Sequence, residues 1–422
     1  MSTEHRSARD SPVAAVFGEQ WPLLVARLVR RTGDLSLAEE CAGEAFVEAV
    51  ATWGSSAPAN PGGWLWTVAH RRAVDRLRRA ERFATRVPVL AQEETAWDAG
   101  PDGERHRDDP VTDHLALLFG CCHPALSSQA QVALMLRYVN GLSSAQIARV
   151  LLVSQDTMTR RLTRAKAKVT AARVPFAIPD AEHWCERLDT VLTCIYSTFT
   201  VGHANSADHG ADLVRGDLCD EARWLVTLVR RVAPADPEAL GLAALMAFVD
   251  ARRPARLDPH GEVVLMEQQD RSRWDQGLIA EGVRLLAQAS RQRRLGPFQI
   301  EAAIAAQHSC APSWQDTAWR RIVRLYEVLS LVDPSPVVRL NRAVAVSYLD
   351  GPAAGLAELD DLVAEGTLAG YHYLWAARAE LLSRLDRHEE AAAATARALE
   401  CEPHPAEARL LRRRGDRDAD GG

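Results

Sequence analysis

Apolar residues recur every three or four positions along nearly the whole chain, and the strict alternation typical of β-strands is almost absent. This spacing places the apolar side chains of each segment on one face of a helix. Ala, Leu, Arg and Glu, which all favour helices, are abundant. The pattern therefore predicts an all-α protein.

The helical pattern is interrupted over residues 87–113, where Pro, Gly and acidic side chains replace it. This stretch holds eight acidic residues and two arginines, a composition typical of a flexible, solvated linker. It separates two small helical blocks from each other. The predicted domains are the blocks at 12–86 and 114–173, a C-terminal helical domain at 174–413, and a disordered tail at 414–422.

The C-terminal domain contains a weak internal repeat. Residues 340–362 resemble residues 374–399, and Ala345 matches Ala379 at a lag of 34 positions. Each unit has small residues within a helix, a short polar turn and a second helix. A period near 34 is typical of tetratricopeptide helix pairs. The alternative is an ordinary bundle of helical hairpins.

Composition narrows the class of protein. The chain has 422 residues, 47% of them hydrophobic, and a formal net charge of -6. It has no apolar run long enough to span a membrane and no apolar signal core near its start, so the expected location is the cytoplasm. Its eight cysteines are scattered, which favours buried thiols over disulfides in a reducing compartment. No metal site and no cofactor are expected.

The segment SSAQIARVLLVSQDTMTRRLTRAKAK, residues 143–168, predicts a helix-turn-helix motif. Ser144 is suited to cap a first helix, and Met158, Leu162 and Ala165 form the inner face of a second. The outer face of the second helix is basic, as needed to enter the major groove and to contact bases and phosphates. The alternative interpretation is a solvated basic helix in a bundle.

The first block combines an acidic helix, residues 33–53, with a basic helix that begins after NPGG. Seven arginines lie between residues 70 and 86, and two tryptophans precede them. Aromatic side chains beside a dense basic helix suit contact with single-stranded DNA. The alternative is that the tryptophans belong to the core, which is the favoured interpretation for Trp64.

Together these segments resemble a bacterial RNA polymerase sigma factor of the extracytoplasmic-function (ECF) type. The stretch AEECAGEAFVEA is similar to the region 2 helix that docks on the polymerase clamp, and WLWTVAHRRAVDRLRR is similar to the helix that holds the -10 element. LSSAQIARVLLVSQDTMTRRLTRAKAKV is similar to region 4, which reads the -35 element. NPGGWLWTVAHRRAVDRLRR, LFGCCHPALSSQAQVALMLRYVNGL and SPVVRLNRAVAVSYLDGPAAGLAELD resemble the subgroup with a long C-terminal tetratricopeptide-like extension.

The resemblance implies that the chain binds core RNA polymerase and promoter DNA, and that catalysis belongs to the polymerase. It assigns residues to three surfaces. The -35 contacts are Ser154, Gln155, Thr157, Thr159, Arg160, Arg161, Arg164 and Lys166. The -10 contacts are Trp66, His70, Arg71, Arg72, Arg76, Arg78 and Arg79, with the loop from Trp53 to Asn60 as a pocket for a flipped base. The polymerase-docking residues are Glu39, Glu40, Glu44 and Phe46.

Two departures from the ECF pattern bear on these surfaces. Gly43 replaces a frequent Gln on the docking helix, and Arg71 replaces a frequent Asn in the -10 pocket. Gly43 bears on how strongly the chain docks on polymerase, and Arg71 bears on which -10 sequence the chain prefers.

The acidic linker is expected either to follow the RNA-exit path of the polymerase or to act as a passive tether.

The C-terminal domain is expected to be regulatory, with a protein or peptide as a possible partner. Its polar residues within apolar helices are Gln269, Asp270, Arg271, Gln299 and His308. Because buried polar groups need partners, these residues either connect the repeats by hydrogen bonds or line a ligand or peptide groove.

A rival interpretation is a conventional helix-turn-helix regulator with a helical sensing domain. The acidic docking helix and the second basic helix argue against it. An enzyme in the C-terminal helices has no support from a nucleophile elbow, a phosphate loop or an HExxH motif.

The sequence Cys121-Cys122-His123-Pro124 falls between two predicted helices of the second block. Adjacent cysteines do not readily ligate one metal together, and no second ligand pair lies nearby in the sequence. Buried packing at a turn is therefore the favoured interpretation, and redox or metal sensing is the alternative.

Overall fold

The structure, a computed structural model, describes residues 12–54, 56–84, 110–151, 153–180, 182–205 and 213–420. Within these residues the regular structure is helical, and one isolated β-bridge joins Leu257 to Val263. The prediction of an all-α fold is confirmed. No helix among the described residues is long and apolar enough to cross a membrane.

The chain divides into two compact units, residues 1–198 and 199–422. The first unit contains helices α1 to α7 and most of α8. Their bounds are α1 Pro12–Thr32, α2 Leu35–Thr52, α3 Pro61–Ala84, α4 Pro110–Cys121, α5 Ser128–Leu134, α6 Ser144–Val150, α7 Gln155–Ala171 and α8 Trp184–Asn205, with a π-helical turn at Met135–Val139 directly after α5.

The described residues of the second unit form ten further helices and three short 3-10 turns. The helices are α9 Leu213–Val232, α10 Pro237–Asp250, α11 Gln276–Ser290, α12 Pro297–Ser309, α13 Trp319–Val332, α14 Pro336–Leu349, α15 Pro352–Glu365, α16 His372–Ser383, α17 His388–Glu400 and α18 Pro405–Asp420. The turns are Arg253–Ala255, Met266–Gln268 and Arg271–Arg273.

Helices α1 to α3 form the N-terminal block around an aromatic and small-residue core. Phe17 stacks on Trp21 with ring centroids 5.1 Å apart, and Phe46 packs 4.9 Å from Phe17. Trp21 and Phe46 are both buried. Helix α2 is capped by Asp34, whose side chain accepts hydrogen bonds from Ser36 N and Leu37 N and thereby satisfies two free helix N–H groups.

Helices α4 to α7 form the helix-turn-helix block. Helix α6 is capped by Ser143 rather than by the expected Ser144, in a capping box closed by Gln146. Helix α7 is capped by Ser154, and its apolar side chains Met158 and Leu162 are buried. The predicted helix-turn-helix therefore has its two helices and its caps, and Leu152 of the turn lies outside the described residues.

The bounds of two predicted segments differ in the structure. Residues 87–109 of the expected linker lie outside the described residues, but helix α4 already begins at Pro110 and Asp113 is buried. Helix α18 continues to Asp420, whereas a disordered tail was expected from residue 414. The first compact unit also extends to residue 198, beyond the expected boundary at 173.

The later boundary has a local cause in the first half of α8. The Arg187 guanidinium donates to the Phe119 carbonyl oxygen over 2.5 Å, and Trp184 packs with its ring centroid 5.4 Å from that of Phe119. Burial of these groups joins the first half of α8 to the helix-turn-helix block.

The predicted repeats correspond to the helix pairs α14–α15 and α16–α17. The pairs share one apolar cluster, to which Leu340, Leu359, Leu374 and Leu382 contribute buried side chains. The small residue Gly355 lets α15 approach α14 closely: a Cβ added there would lie 2.6 Å from the Ser347 Cβ and 2.7 Å from the Ala343 carbonyl oxygen. The repeat pattern in the sequence thus marks helices that pack together.

We expect Gly355→Val to weaken the second unit, because the added side chain would collide with the backbone of α14. Overpacking of this kind typically costs about 1–3 kcal/mol. Ala357→Val is the matched control, since it places the same β-branched residue at an exposed position of the same helix. The urea midpoint of unfolding should fall for Gly355→Val and stay near the wild-type value for Ala357→Val. Equal midpoints for the two variants would contradict the close packing of α14 and α15.

Candidate nucleic-acid interface

Helix α7 exposes the residues predicted to contact the -35 element. Ser154, Gln155, Thr157, Thr159, Arg160 and Arg164 are exposed, and Arg161 is half-buried. The opposite face of the helix holds Met158, Leu162, Ala165 and Val169, all buried. Lys166 differs from the other predicted -35 contacts because its ammonium lies 3.1 Å from a Glu39 carboxylate oxygen. The helix therefore presents a polar, basic face at its N-terminal half, as a recognition helix does.

An aromatic and cationic surface lies where α3 meets α1. Trp66 stacks on His70 with ring centroids 4.9 Å apart. The Arg27 and Arg31 guanidinium groups lie 4.7 and 5.9 Å from the Trp66 ring centroid. Burial and, second, the Arg31 charge lower the pKa of His70. Arg27 and Arg31 were not among the predicted site residues, because their contact with Trp66 joins two helices distant in the sequence.

The other predicted -10 residues separate into two groups. Arg71, Arg78 and Arg79 are exposed. Arg72 and Arg76 instead pair with acidic residues of α2: Arg72 lies 2.8 Å from Glu44 and 2.5 Å from Glu48, and Arg76 lies 2.6 Å from Glu40. These side chains are partly exposed, and such ion pairs are typically worth less than about 1 kcal/mol each. DNA phosphates can therefore compete for both arginines.

Helix α2 presents an apolar surface that the sequence interpretation missed. Val47 and Val50 are 71% and 65% exposed, whereas Phe46 is 5% exposed and belongs to the core of the N-terminal block. Glu40 is exposed and Glu44 is half-buried on the same helix. The period of an α-helix puts Glu40, Glu44 and Val47 on one face. Phe46 therefore packs in the core beneath this face, while Val47 and Val50 are exposed and can contact a partner.

Glu39 joins the N-terminal block to the helix-turn-helix block. One of its carboxylate oxygens accepts from Arg137 Nη2 over 2.6 Å, and the other accepts from the Tyr138 hydroxyl over 2.6 Å and from Lys166 Nζ over 3.1 Å. Arg137 also lies over the Trp21 ring, 5.4 Å from its centroid. Glu39, a predicted docking residue, is thus paired with Lys166, a predicted -35 contact.

The electrostatics of this cluster favour an ionised Glu39. Burial acts to raise the pKa of Glu39, but hydrogen bonds from Tyr138 and Arg137, with the charges of Arg137 and Lys166, bring it below its ordinary value. Burial and then the Glu39 charge raise the pKa of Tyr138, so that its hydroxyl keeps its proton and donates. The cluster is a shared, charge-assisted hydrogen-bond network.

A second acidic group bridges the same two blocks. Asp113 of α4 is buried, and its carboxylate lies 2.6 Å from Arg30 Nη1 and 3.6 Å from Arg27 Nε. The sequence placed Asp113 at the end of the solvated linker. Its burial beside two arginines instead makes it part of the contact between α1 and α4.

The expected base pocket, the loop from Trp53 to Asn60, is described except for Ser55. The Trp53 ring packs edge-on against Trp64, with centroids 5.5 Å apart, and the Trp53 side chain is buried. The preference for Trp64 as a packing residue agrees with this contact. The loop carries no other feature that assigns it a ligand.

Cys121 and Cys122 are both fully buried next to Cys194 of α8. Burial, and then the proximity of Cys194, raises the pKa of both thiols. His123 accepts a hydrogen bond from Ala125 N at its Nδ1 atom, 3.1 Å away, and its carbonyl accepts from Gln131 Nε2. Among the described residues, no group of three or more His, Cys, Asp or Glu side chains is arranged to hold a metal ion. These contacts favour the packing interpretation of the turn.

Family models match both blocks. The model of sigma-70 region 2 matches residues 19–83, and the model of sigma-70 region 4 matches residues 116–169. The ECF RNA polymerase sigma factor SigK of Mycolicibacterium vanbaalenii is 28% identical over 160 residues, which cover 36% of this chain and 78% of that protein. The chain belongs to the sigma-70 family, as an ECF-type sigma factor with a long C-terminal extension.

The extension is shared with a relative of similar length. An uncharacterized protein of Rhizobium meliloti, R00370, is 43% identical over 397 residues, covering 93% of this chain and 92% of the relative. A family of unknown function matches residues 187–290. SigK of Mycobacterium sp. strain KMS is 29% identical over 150 residues, or 33% of this chain and 69% of that protein. No solved structure matches the chain.

The matched ranges contain the site residues. The predicted -10 and docking residues fall within the region 2 match, and the predicted -35 residues fall within the region 4 match. Arg27, Arg31, Val47 and Val50 also lie inside region 2. The contact of Glu39 with Lys166 therefore joins the region 2 match to the region 4 match. The contact of Arg30 with Asp113 joins region 2 to a residue just before the region 4 match.

We expect Cys121 and Cys122 to be unreactive in the folded sigma factor, because the thiolate is the reactive form and burial disfavours it. Exposed Cys185 and Cys310 provide the comparison within the same chain. Brief labelling with a maleimide, followed by peptide mass spectrometry, should modify Cys185 and Cys310, and should modify Cys121 and Cys122 only after unfolding in urea. Rapid labelling of Cys121 or Cys122 in the native protein would favour the sensing interpretation.

Proposed function

We propose that this sigma factor docks on core RNA polymerase through the exposed face of α2 and contacts promoter DNA through α7 and the Trp66 surface. One observation carries the proposal: three surfaces occur together in the first unit. They are the acidic and apolar face of α2, the basic and aromatic surface around Trp66, and the exposed face of α7. RNA synthesis is catalysed by the polymerase and not by this chain. Because the chain acts together with the polymerase, its proposed location is the cytoplasm.

The -35 contact is assigned to the N-terminal half of α7. Arg160 and Arg164 are exposed one turn apart, and Gln155, Thr157 and Thr159 lie near the start of the helix. Arg is able to pair bidentately with guanine, and Gln with adenine, in the major groove. The start of the helix is exposed: Ser154 Oγ accepts from Thr157 N, and the other N–H groups of the first turn suit a phosphate.

The -10 contact is assigned to Trp66 and the arginines around it. A stacked Trp66–His70 pair flanked by Arg27 and Arg31 offers an aromatic face and positive charge side by side. Stacking on an aromatic ring contributes about 1–3 kcal/mol per base in single-stranded complexes. Arg71, Arg78 and Arg79 extend this charge along the exposed side of α3.

The polymerase contact is assigned to Glu40, Gly43, Glu44, Val47 and Val50 of α2. Large apolar side chains that are mostly exposed on a small unit are a common mark of a protein interface. The acidic residues beside them provide charge complementarity for a basic partner surface. With Gly43 in place of a longer polar side chain, the two valines supply most of the apolar contact area on this face.

The contact of Glu39 with region 4 is proposed to mark a closed form of the free sigma factor. Lys166 cannot neutralise a DNA phosphate while its ammonium lies against the Glu39 carboxylate, so full DNA contact requires the bridge to open. Lys166 would exchange the carboxylate for a phosphate, and Glu39 would keep its hydrogen bonds from Arg137 and Tyr138. Glu39 lies on α2, where polymerase would bind, and Lys166 lies on α7, where DNA would bind. Either partner would therefore act on the contact between these two residues.

The second unit is proposed to regulate the sigma factor. Two observations support this proposal: the similarity to the relative from Rhizobium meliloti covers 93% of this chain and so extends into the second unit, and none of the surfaces assigned to DNA or polymerase lies in that unit. Of the polar residues singled out in the sequence, Arg271 connects segments by donating to the carbonyl oxygens of His308 and Ala311, and Gln299 donates to Glu238.

Run-off transcription with core RNA polymerase on the DNA upstream of the protein's own gene tests the sigma function. The wild type should direct initiation from one defined site. Arg160→Ala with Arg164→Ala should reduce this transcript about tenfold or more, since each lost base contact costs about 1–3 kcal/mol. Lys168→Ala, which removes an exposed cation from the far end of the same helix, should reduce it much less. Folded wild-type protein that yields no specific start site would contradict the proposal.

We expect Glu39→Gln to raise the affinity of the free protein for duplex DNA, because it releases Lys166 and Arg137 from their shared carboxylate. A three- to tenfold tighter Kd at low salt is the expected size for one or two additional phosphate contacts. Glu19→Gln is the control, since it removes the same charge from an exposed residue of α1 that forms no ion pair among the described residues. Fluorescence anisotropy with a labelled duplex measures both variants. Equal Kd values for Glu39→Gln and Glu19→Gln would argue against the closed form.

A further inference from the structure

A cavity of about 650 Å³ lies within the second unit, among α14, α16, α18 and the segment 263–269. This volume is within the range of about 300–1,000 Å³ that is typical of small-molecule sites. The function proposed above makes no use of the cavity. None of the family matches assigns a ligand to it.

The segment before α11 forms one side of the cavity. It folds back through the bridge between Leu257 and Val263 and the 3-10 turn Met266–Gln268, so that Val264, Leu265 and Met266 line one wall. The facing walls come from the repeat helices. The volume of this cavity suits a compact ligand.

Three arginines line the pocket without forming an ion pair among the described residues. The Arg252 guanidinium contacts the Met266 sulfur, 3.0 Å away, and its Nε atom is enclosed without a hydrogen-bond partner. A thioether is a weak acceptor. Arg256 donates to the His203 carbonyl, and Arg384 donates to Ser347 and lies over the Tyr348 ring, 4.8 Å from its centroid.

The Arg252 site is electrostatically incomplete. Burial, and next the charges of Arg256 and Arg271, lower the pKa of Arg252 to about 10. An enclosed cation next to other cations is costly unless an anion compensates it. A ligand that brings a negative charge would supply the missing partner.

The carboxylates of the pocket already have other partners. Glu380 pairs with Arg414, and Glu407 accepts from the Tyr373 hydroxyl and lies 3.1 Å from His372 Nε2. The Tyr348 hydroxyl lies 3.5 Å from Glu267. Glu380 is therefore neutralised by Arg414, whereas Glu267 and Glu407 accept from tyrosine hydroxyls. The lining as a whole holds four arginines and three glutamates, so positive charge is in excess.

Aromatic rings form much of the remaining surface. Trp314 packs edge-on against Tyr348, with centroids 5.2 Å apart, and Tyr371 packs against Tyr373 at 5.3 Å. All four rings line the cavity. Such a surface favours an apolar or aromatic body next to the charged group.

We propose that this pocket binds a small organic anion, in which a carboxylate or phosphate group pairs with Arg252, Arg256 and Arg384 while an apolar or aromatic body packs on Tyr348 and Trp314. The assignment concerns the second unit alone and does not depend on the sigma function. If the unit regulates transcription, this ligand is the chemical signal it would read.

Two dyes of nearly the same shape test the charge requirement in the full-length protein. The anionic dye 8-anilino-1-naphthalenesulfonate carries a sulfonate, and N-phenyl-1-naphthylamine has the same rings without it. The wild type should bind one equivalent of the anionic dye saturably. Arg252→Gln with Arg384→Gln should weaken that Kd at least about tenfold, the equivalent of 1.4 kcal/mol, and should change the Kd of the neutral dye less than about twofold.

The neutral dye also reports whether the double variant keeps a folded pocket, and Arg252→Lys offers a milder variant that retains the charge and should retain most of the affinity. Arg253→Gln is the matched control. Arg253 is the next residue in the chain but pairs with Asp250 and Asp220 outside the pocket, so its loss should leave both Kd values unchanged. Benzoate or phenyl phosphate should displace the anionic dye, and benzyl alcohol should not; whichever anion displaces it better identifies the preferred group.

Three results would overturn the proposal. They are the absence of saturable binding of the anionic dye, equal loss of affinity in Arg253→Gln and in the double variant, and displacement by benzyl alcohol as effective as by the two anions. A failure of run-off transcription with intact dye binding would contradict the sigma function and leave this site in place.

Discussion

The carboxylate of Glu39 is the interaction on which the arrangement of the first unit depends. It accepts hydrogen bonds from Arg137, Tyr138 and Lys166, which all belong to the region 4 part of the chain. In a largely enclosed network, removing one partner leaves the others unsatisfied and costs more than the net contribution of the bond. Asp113, buried against Arg27 and Arg30, provides a second bridge between the same parts. The two blocks are therefore joined by these charged groups and by the Arg137 guanidinium over the Trp21 ring.

Helix α2 serves three purposes at once. It packs Phe46 against Phe17 and Trp21, it pairs acidic residues with Arg72 and Arg76 of α3, and beside these acidic residues it exposes Val47 and Val50. Cations that are proposed to meet DNA thus have protein carboxylates as partners in the free molecule. Weak, partly exposed pairs of this kind let DNA replace one anion by another without leaving a charge buried and unpaired.

The sequence predicted the elements of the fold better than the contacts between them. Periodicity and caps were sufficient for the helix-turn-helix and for the repeats, because both depend on residues a few positions apart. They did not show that Phe46 is buried and Val47 exposed. Both are apolar neighbours on one helix, and only the packing of the block decides which of them faces the core. The partners of Glu39 lie about a hundred or more positions away in the chain. The arginine-lined cavity likewise gathers residues from Arg252 to Arg414, and no local pattern brings them together.

The bridge between Glu39 and Lys166 is open to a direct chemical measurement, because the chain contains only two lysines, Lys166 and Lys168. A carbodiimide joins a carboxylate to an amine only when the two are in contact, and peptide mass spectrometry identifies the product. We predict that the free protein forms the Glu39–Lys166 amide, and that bound core RNA polymerase with promoter DNA suppresses it. Absence of this amide in the free protein, or equal formation in the complex, would contradict the account.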